Sequence, residues 1–298
     1  MTTTLEVMPW PQGTSVSQLT AAFLAGYGPT TRKSYAEGLR AWFRWCNEHN
    51  LDPLRVARPH IDLWARWLEE ERHLAPATVM HRLCTLRSFY RYLEDEEVIA
   101  LSPARKVRLP KVSTDSQTRG MSRTEVARFL ATSERNPTYH AMCCLLALNG
   151  LRISEACSAN IEDLGVERGH RTLTVTRKGG NRQTIPLSPK TARTVESIVA
   201  ERSNGPILVT QAGTRMTRTN AAKAVGRIGK QAGIETKVHP HRLRHAFVTI
   251  GLDAGIPLHD MQDSAGHADP RTTMRYNRNR FSLDRNATHI VTAFVSGG

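Results

Sequence analysis

Residues 238–247 read VHPHRLRHAF and place three imidazoles and two guanidiniums within ten positions. Few such groups enter a core unpaired. Taken as a helix starting near Pro240, the stretch sorts into two faces. Leu243, Ala246, Phe247 and Ile250 form an apolar stripe, and His241, Arg244 and His245 fall together on another face. Two proton carriers and a fixed cation then stand near a helix N-terminus, the end that favours anions. A phosphate fits this set better than a metal. Arg244 would repel a divalent ion, and no carboxylate lies near in sequence. His245 also has a purely structural reading.

Three further stretches carry reactive groups. In NGLRISEAC, 149–157, Arg152 follows a helix-ending Gly150 and sits between Leu151 and Ile153. A buried arginine there needs an anionic partner, which Glu155 supplies. The pair is either structural, or Glu155 orients Arg152 while its outer donors meet a ligand phosphate. Lys178 precedes Gly179-Gly180 at a hairpin turn. It is either a solvated turn lysine or, if the turn enters a groove, a proton donor. In SAGHADPRTTMRYN, 264–277, Gly266 ends one helix and His267 follows it. Asp269-Pro270 starts the next helix, and Tyr276 lies two turns in. Tyr276 reads as a core aromatic or, among Arg275, Asn277 and Arg278, as a phenol in a basic setting.

The elements that must position these groups are mostly helical. Tyr35, Leu39, Trp42, Phe43 and Cys46 make one apolar face, with Thr30 as the expected N-cap. Ile61, Trp64 and Leu68 make a second stripe, and Val79, Leu83, Leu86, Tyr90 and Leu93 a third. Leu19, Phe23 and Leu24 fit an earlier short helix. Arg32 and Lys33 fall in a first turn, where the helix dipole disfavours cations; a nearby phosphate accounts for them, and so does simple exposure. The segment 101–120 holds two prolines and five Lys or Arg without apolar periodicity, which predicts a basic linker. Ser122 and Glu125 then form a capping box. A helix runs from about Thr138 towards Gly150, Ser188 and Pro189 start another, and further helices fit 219–232, 240–252 and 257–263. RTLTVTRKGGNRQTIPL alternates, with Leu173 and Val175 on one face and the glycine pair turning a hairpin. The fold class is mostly α with one small antiparallel β-sheet.

Composition narrows the partner. The chain has 298 residues and a formal net charge of +14. Residues 1–112 carry 15 Lys and Arg against 12 Asp and Glu, and the remainder 26 against 15. A basic excess concentrated in one part points to a polyanion. The longest apolar run, near Met142–Leu148, is far too short for a membrane span. The start lacks the regions of a secretory signal. Five cysteines, an odd number without paired spacing, argue against a disulfide framework, so a reducing cytoplasm is the expected setting.

Taken in order, Arg152, Lys178, His241-x-x-Arg244, His267 and Tyr276 resemble the signatures of the tyrosine recombinases, the phage integrase family. GLRISE resembles the first arginine motif, HRLRHAFVT the His-x-Leu-Arg-His motif, and GHADPRTTMRY the motif that ends at the nucleophile. Ala265 stands where the family usually has Leu, Asn149 where Thr is common, and Asn277-Arg278 follow the tyrosine where a residue and then His is frequent. None of these departures removes a reactive group. The resemblance spans nearly the whole chain and is similar to the compact Xer-type recombinases.

The resemblance implies a division into an N-terminal helical core-binding domain, 14–100, the basic linker, 101–120, and a catalytic domain, 121–298, ending in a tail helix. It implies that Tyr276 attacks a DNA phosphodiester to give a 3′-phosphotyrosyl bond, with His241 taking the phenol proton. Arg152 and Arg244 would hold the non-bridging oxygens, Lys178 would protonate the leaving 5′ oxygen, and His267 would donate a hydrogen bond. Neither a metal nor another cofactor is implied. Arg32, Lys33, Lys106 and Arg108 are the expected contacts to the DNA backbone. The implied partners are double-stranded DNA at specific sites, further copies of the chain in a tetramer, and an accessory DNA-bending protein or second recombinase. Leu283, Ala287, Ile290, Val291 and Phe294 in the tail have helical spacing suited to docking on a neighbouring copy or on their own domain. With the helical domain beginning near Ser15, no extra N-terminal arm-binding domain is expected. The alternatives are type IB topoisomerase-like relaxation, a catalytically silent DNA-binding regulator, and a histidine-based metallohydrolase.

Overall fold

The computed structural model describes residues 14–112, 120–177, 180–266 and 295. The chain divides into two compact units, 1–114 and 115–298.

Four helices build the first unit: α1 (Val16–Ala25), α2 (Pro29–Glu48), α3 (Arg58–Glu70) and α4 (Pro76–Asp95). Ser15 and Gln18 close a capping box at α1. Helix α2 starts one residue before the expected cap, with Gly28 as N-cap and Pro29 at the first position. Proline's fixed φ suits that position and pre-empts Thr30. Trp42, Trp64, Leu68, Leu86 and Phe89 interlock in a core without solvent access. Trp42 Nε1 donates to the Tyr90 hydroxyl at 2.8 Å, which donates to the Pro53 carbonyl at 2.8 Å.

The expected linker is in part a component of this unit. Ser102, Ala104 and Val107 are buried, the last two against the same core, and Arg87 Nη2 donates to the Val107 carbonyl at 2.5 Å. Irregular backbone contributes apolar contacts without any period, so the sequence pattern is silent here. Lys106 and Arg108 are exposed on this anchored strip.

In the second unit, α5 (Arg123–Ser133) opens with the Ser122–Glu125 capping box. Helix α6 (Pro137–Ala147) is buried from His140 to Ala147 and forms the centre. Around it stand α7 (Ile153–Ser158), α8 (Pro189–Val199), α9 (Arg218–Gln231) and α10 (Pro240–Asp253), and α11 (Leu258–Ala265) follows. Strands β1 (Leu164–Glu167), β2 (His170–Thr176) and β3 (Arg182–Pro186) pair antiparallel in that order. Leu173 lies opposite Leu164 and Ile185, and Leu173 and Val175 face the core. β1 lacks an alternating pattern, being largely exposed.

The stripe expected on α10 divides between two cores. Leu243, Ala246 and Ile250 join the main core, whereas Phe247 packs with Val248, Leu252, Met261 and Ala265 in a satellite cluster under α11. Gly150, at φ +61°, makes the close passage of α10 possible, because a Cβ there would collide with the Phe247 ring. No helix among the described residues is long and apolar enough to cross a membrane.

Candidate active site

Arg152 stands just before α7 with extended backbone, and Glu155 turns back onto it. The carboxylate accepts from the Arg152 backbone N–H at 2.8 Å and from Arg152 Nη1 at 2.7 Å. Glu155 is 3 % exposed, so this is a buried ion pair in which each charge needs its partner. A second guanidinium shares it: Arg177 Nη1 donates to Glu155 Oε2 at 2.8 Å. Sequence reading missed Arg177. Adjacent to Lys178 it reads as one of two solvated cations, and its buried carboxylate lies 22 residues away.

The C-terminal end of α11 collects these cations. Arg152 Nη2 donates to the Gly266 carbonyl at 2.9 Å, Arg244 Nη2 donates to the Ala265 carbonyl, and Arg177 Nη2 reaches the Ser264 carbonyl at 3.4 Å. Gln183 Nε2 donates to the Asp263 carbonyl at 3.4 Å. A helix leaves its last carbonyls unpaired and partly negative, so a ring of donors there satisfies both hydrogen bonding and the dipole. Arg244 also donates to the Gly150 carbonyl at 2.5 Å, which ties α10 to the turn ahead of Arg152. Arg152 and Arg244 thus grip consecutive carbonyls, those of Gly266 and Ala265. Arg152 keeps 33 % of its side chain in solvent and is the member of the pair open to a ligand, while Arg244 is buried.

His241 lies in the first turn of α10, solvent-exposed. Desolvation by the surrounding chain, then His239, Arg244 and Arg152, hold its imidazole below the ordinary value. That direction favours its neutral form. His239 caps the helix, its Nδ1 accepting from the Arg242 backbone N–H at 3.3 Å, a role absent from the sequence reading. Desolvation, His241 and Arg242 lower the titration of His245, whose Nδ1 lies 3.4 Å from the Thr249 hydroxyl. Among the described residues, no cluster of His, Cys, Asp or Glu side chains has the makings of a metal site.

Lys178, His267 and Tyr276 lie outside the described residues, as do the helix expected from Asp269 and the tail stripe from Leu283 to Phe294. Their described neighbours are placed. Arg177, which leads to Lys178, is bonded to Glu155, and Gly266, which leads to His267, is bonded to Arg152.

Arg32 has partners that the sequence pattern did not reveal. Its guanidinium donates to the carbonyls of Leu24, Ala25 and Tyr27, at and just past the C-terminal end of α1. The cation that α2's own dipole disfavours is held by the opposite pole of α1, which gives it a structural role. Lys33 is exposed beside it. Lys106 and Arg108 line a groove of about 850 Å³ with Arg58, Asp62, Arg66 and Glu69 of α3. Arg58 is paired to Asp62 at 3.4 Å and Arg66 to Glu70 at 3.1 Å.

Comparison with known proteins adds two profile matches. The profile described as Phage integrase family matches residues 119–282, and that described as Phage integrase, N-terminal SAM-like domain, matches 17–100. A tyrosine recombinase of Pseudothermotoga lettingae is 26 % identical over 247 residues, which is 82 % of this chain and 85 % of that protein. Tyrosine recombinase XerD of Oceanobacillus iheyensis is 27 % identical over 265 residues, 84 % of this chain and 88 % of that protein. The fold is similar to that in the crystal structure of XerH site-specific recombinase bound to palindromic difH substrate, a post-cleavage complex. The TM-score there is 0.73 at 20 % identity, covering 95 % of this chain and 85 % of that one.

Proposed function

The chain belongs to the phage integrase family, the tyrosine recombinases, and on that premise we propose that Tyr276 is the nucleophile of a site-specific DNA strand exchange. As a member it is an enzyme that cleaves and rejoins DNA, with relatives of the Xer type. The observation that carries the finer reading is the pairing of Arg152 and Arg244 on consecutive carbonyls, with the His241 imidazole near enough to feel both guanidiniums.

In this reading the scissile phosphate lies against Arg152 and Arg244, which stabilise the charge that grows on its non-bridging oxygens. His241 removes the Tyr276 proton as the phenolic oxygen attacks phosphorus. The bond from phosphorus to the 5′ oxygen breaks, and Lys178 gives that oxygen a proton. His267 donates a hydrogen bond to the phosphate. The 3′-phosphotyrosyl link keeps the bond energy, so a 5′ hydroxyl from another strand reverses the step with no net hydrolysis. Lys33, Lys106 and Arg108 are assigned to the DNA backbone. Exchange between two sites calls for several copies, and the apolar stripe from Leu283 to Phe294 is assigned to contacts between them.

The test begins by enriching a binding site from a randomised duplex library. A nicked duplex carrying that site is then offered to the wild type and to Tyr276→Phe. A covalent adduct from the wild type alone is expected. Equal adduct from both removes Tyr276 from this role.

A further inference from the structure

Arg177 is 8 % exposed, and each of its three guanidinium nitrogens is engaged within the protein. Its guanidinium reaches three elements at once: Glu155 of α7 at 2.8 Å through Nη1, Gln183 of β3 at 2.9 Å through Nε, and the Ser264 carbonyl of α11 at 3.4 Å through Nη2. Its backbone closes the β2–β3 turn, with Arg177 N–H donating to the Asn181 carbonyl at 2.7 Å and Gly180 N–H to the Arg177 carbonyl at 3.1 Å. Gln183 completes a ring, because its oxygen accepts from Arg177 while its amide donates to Asp263. Gly266 leaves the space for this: a Cβ there would lie 2.7 Å from Arg177 Cζ.

Two cations on one buried carboxylate is an expensive arrangement for stability alone. What it supplies is geometry. Glu155 Oε1 accepts from the Arg152 guanidinium, and Oε2 accepts from both the Arg177 guanidinium and the Arg152 backbone N–H, so the second guanidinium helps fix the rotation of the carboxylate that aims the first. A planar fork holds three directions together, which an ammonium does not. Resting on the recombinase reading above, we propose that Arg177 is a positioning residue for strand cleavage, aiming Arg152 through Glu155 and tying the turn that bears Lys178 to the end of α11.

The experiment measures single-turnover adduct formation at saturating enzyme, with the enriched-site nicked duplex as probe, for the wild type, Arg177→Met, Arg177→Lys and Gln183→Leu. Duplex affinity and urea midpoint are measured alongside. A displacement of about 1 Å at such a site costs about 100-fold, so R177M is expected to cleave about 100-fold more slowly. R177K keeps a charge for Glu155 but not the fork, and is expected to fall about tenfold, with duplex Kd within about threefold throughout. Cleavage by R177M within about threefold of wild type overturns the proposal, as does a loss of affinity that matches the loss of rate. If R177M does not fold, Q183L decides by the same criteria. No adduct from the wild type overturns the recombinase reading and this proposal with it; unchanged variants beside an active wild type overturn this proposal alone.

Discussion

Arg152 Nη2 donates to the carbonyl oxygen of Gly266 at 2.9 Å, joining positions 114 residues apart in sequence. The residue that ends α11 therefore also holds the exposed arginine of the site. Gly266 has φ +60°, and its missing side chain accommodates Arg177. Gly266→Ala introduces a left-handed alanine, costing about 1–2 kcal/mol, and pushes Arg177 away from Glu155. We expect a lower urea midpoint and a loss of adduct formation larger than the stability change explains. An alanine variant that cleaves like the wild type separates Gly266 from the site.

Glu155 supports two guanidiniums and one backbone N–H from inside the fold. Glu155→Gln keeps the shape and removes the charge, leaving Arg177 buried without its anion. The expected loss is about 3–5 kcal/mol in urea unfolding, with cleavage abolished. A loss under about 1 kcal/mol places the pair among surface bridges of little worth.

The histidines set the acid limb of stability. His140, His239, His241 and His245 all titrate below the ordinary 6.5, each chiefly through desolvation. Folded values below the unfolded ones mean that the unfolded chain binds protons first. The contribution is full above pH 6.5 and is lost as pH falls through the folded values. Urea midpoints should be flat above that pH and decline beneath it. A midpoint that rises on acidification contradicts the assignment. In the proposed mechanism the same direction favours the neutral His241 that takes the Tyr276 proton.

Arg32 and Lys33 are neighbours with opposite expected behaviour. Arg32→Met removes the donors that close α1 and should cost about 1–2 kcal/mol while leaving duplex affinity intact. Lys33→Ala should leave stability unchanged and, if it meets a phosphate, lower the slope of log affinity against log salt by about 1. The pair is separated by urea unfolding and salt titration on the same preparations. Reversed outcomes return Arg32 to the DNA backbone.

Where local chemistry decides, the sequence was readable. Ser122 with Glu125, Ser188 with Pro189, and Pro240 each start a helix as expected, because caps depend on residues within one turn. The apolar stripes of α2, α3 and α4 found their core for the same reason. Ala104 and Val107 were hidden by irregular backbone, whose burial has no period to detect. The Arg152–Glu155 pair was legible at a spacing of three, whereas the Arg177 contact spans 22 residues and depends on how β2 lies against α7. The carbonyls that hold Arg32 were hidden because they belong to another helix end. Lys178, His267 and Tyr276 remain readings of the motifs.

The satellite cluster under α11 sets an order of release. Among the described residues, Met261 and Ala265 cluster with Val248, Leu252 and their neighbours, apart from the core that α6 anchors. Detaching α11 exposes a handful of apolar groups and frees a few guanidinium bonds, whereas unseating α6 dismantles the unit. Amide protons of α11 therefore exchange with solvent through a small opening well below the global unfolding free energy, and those of α6 wait for the whole unit to melt.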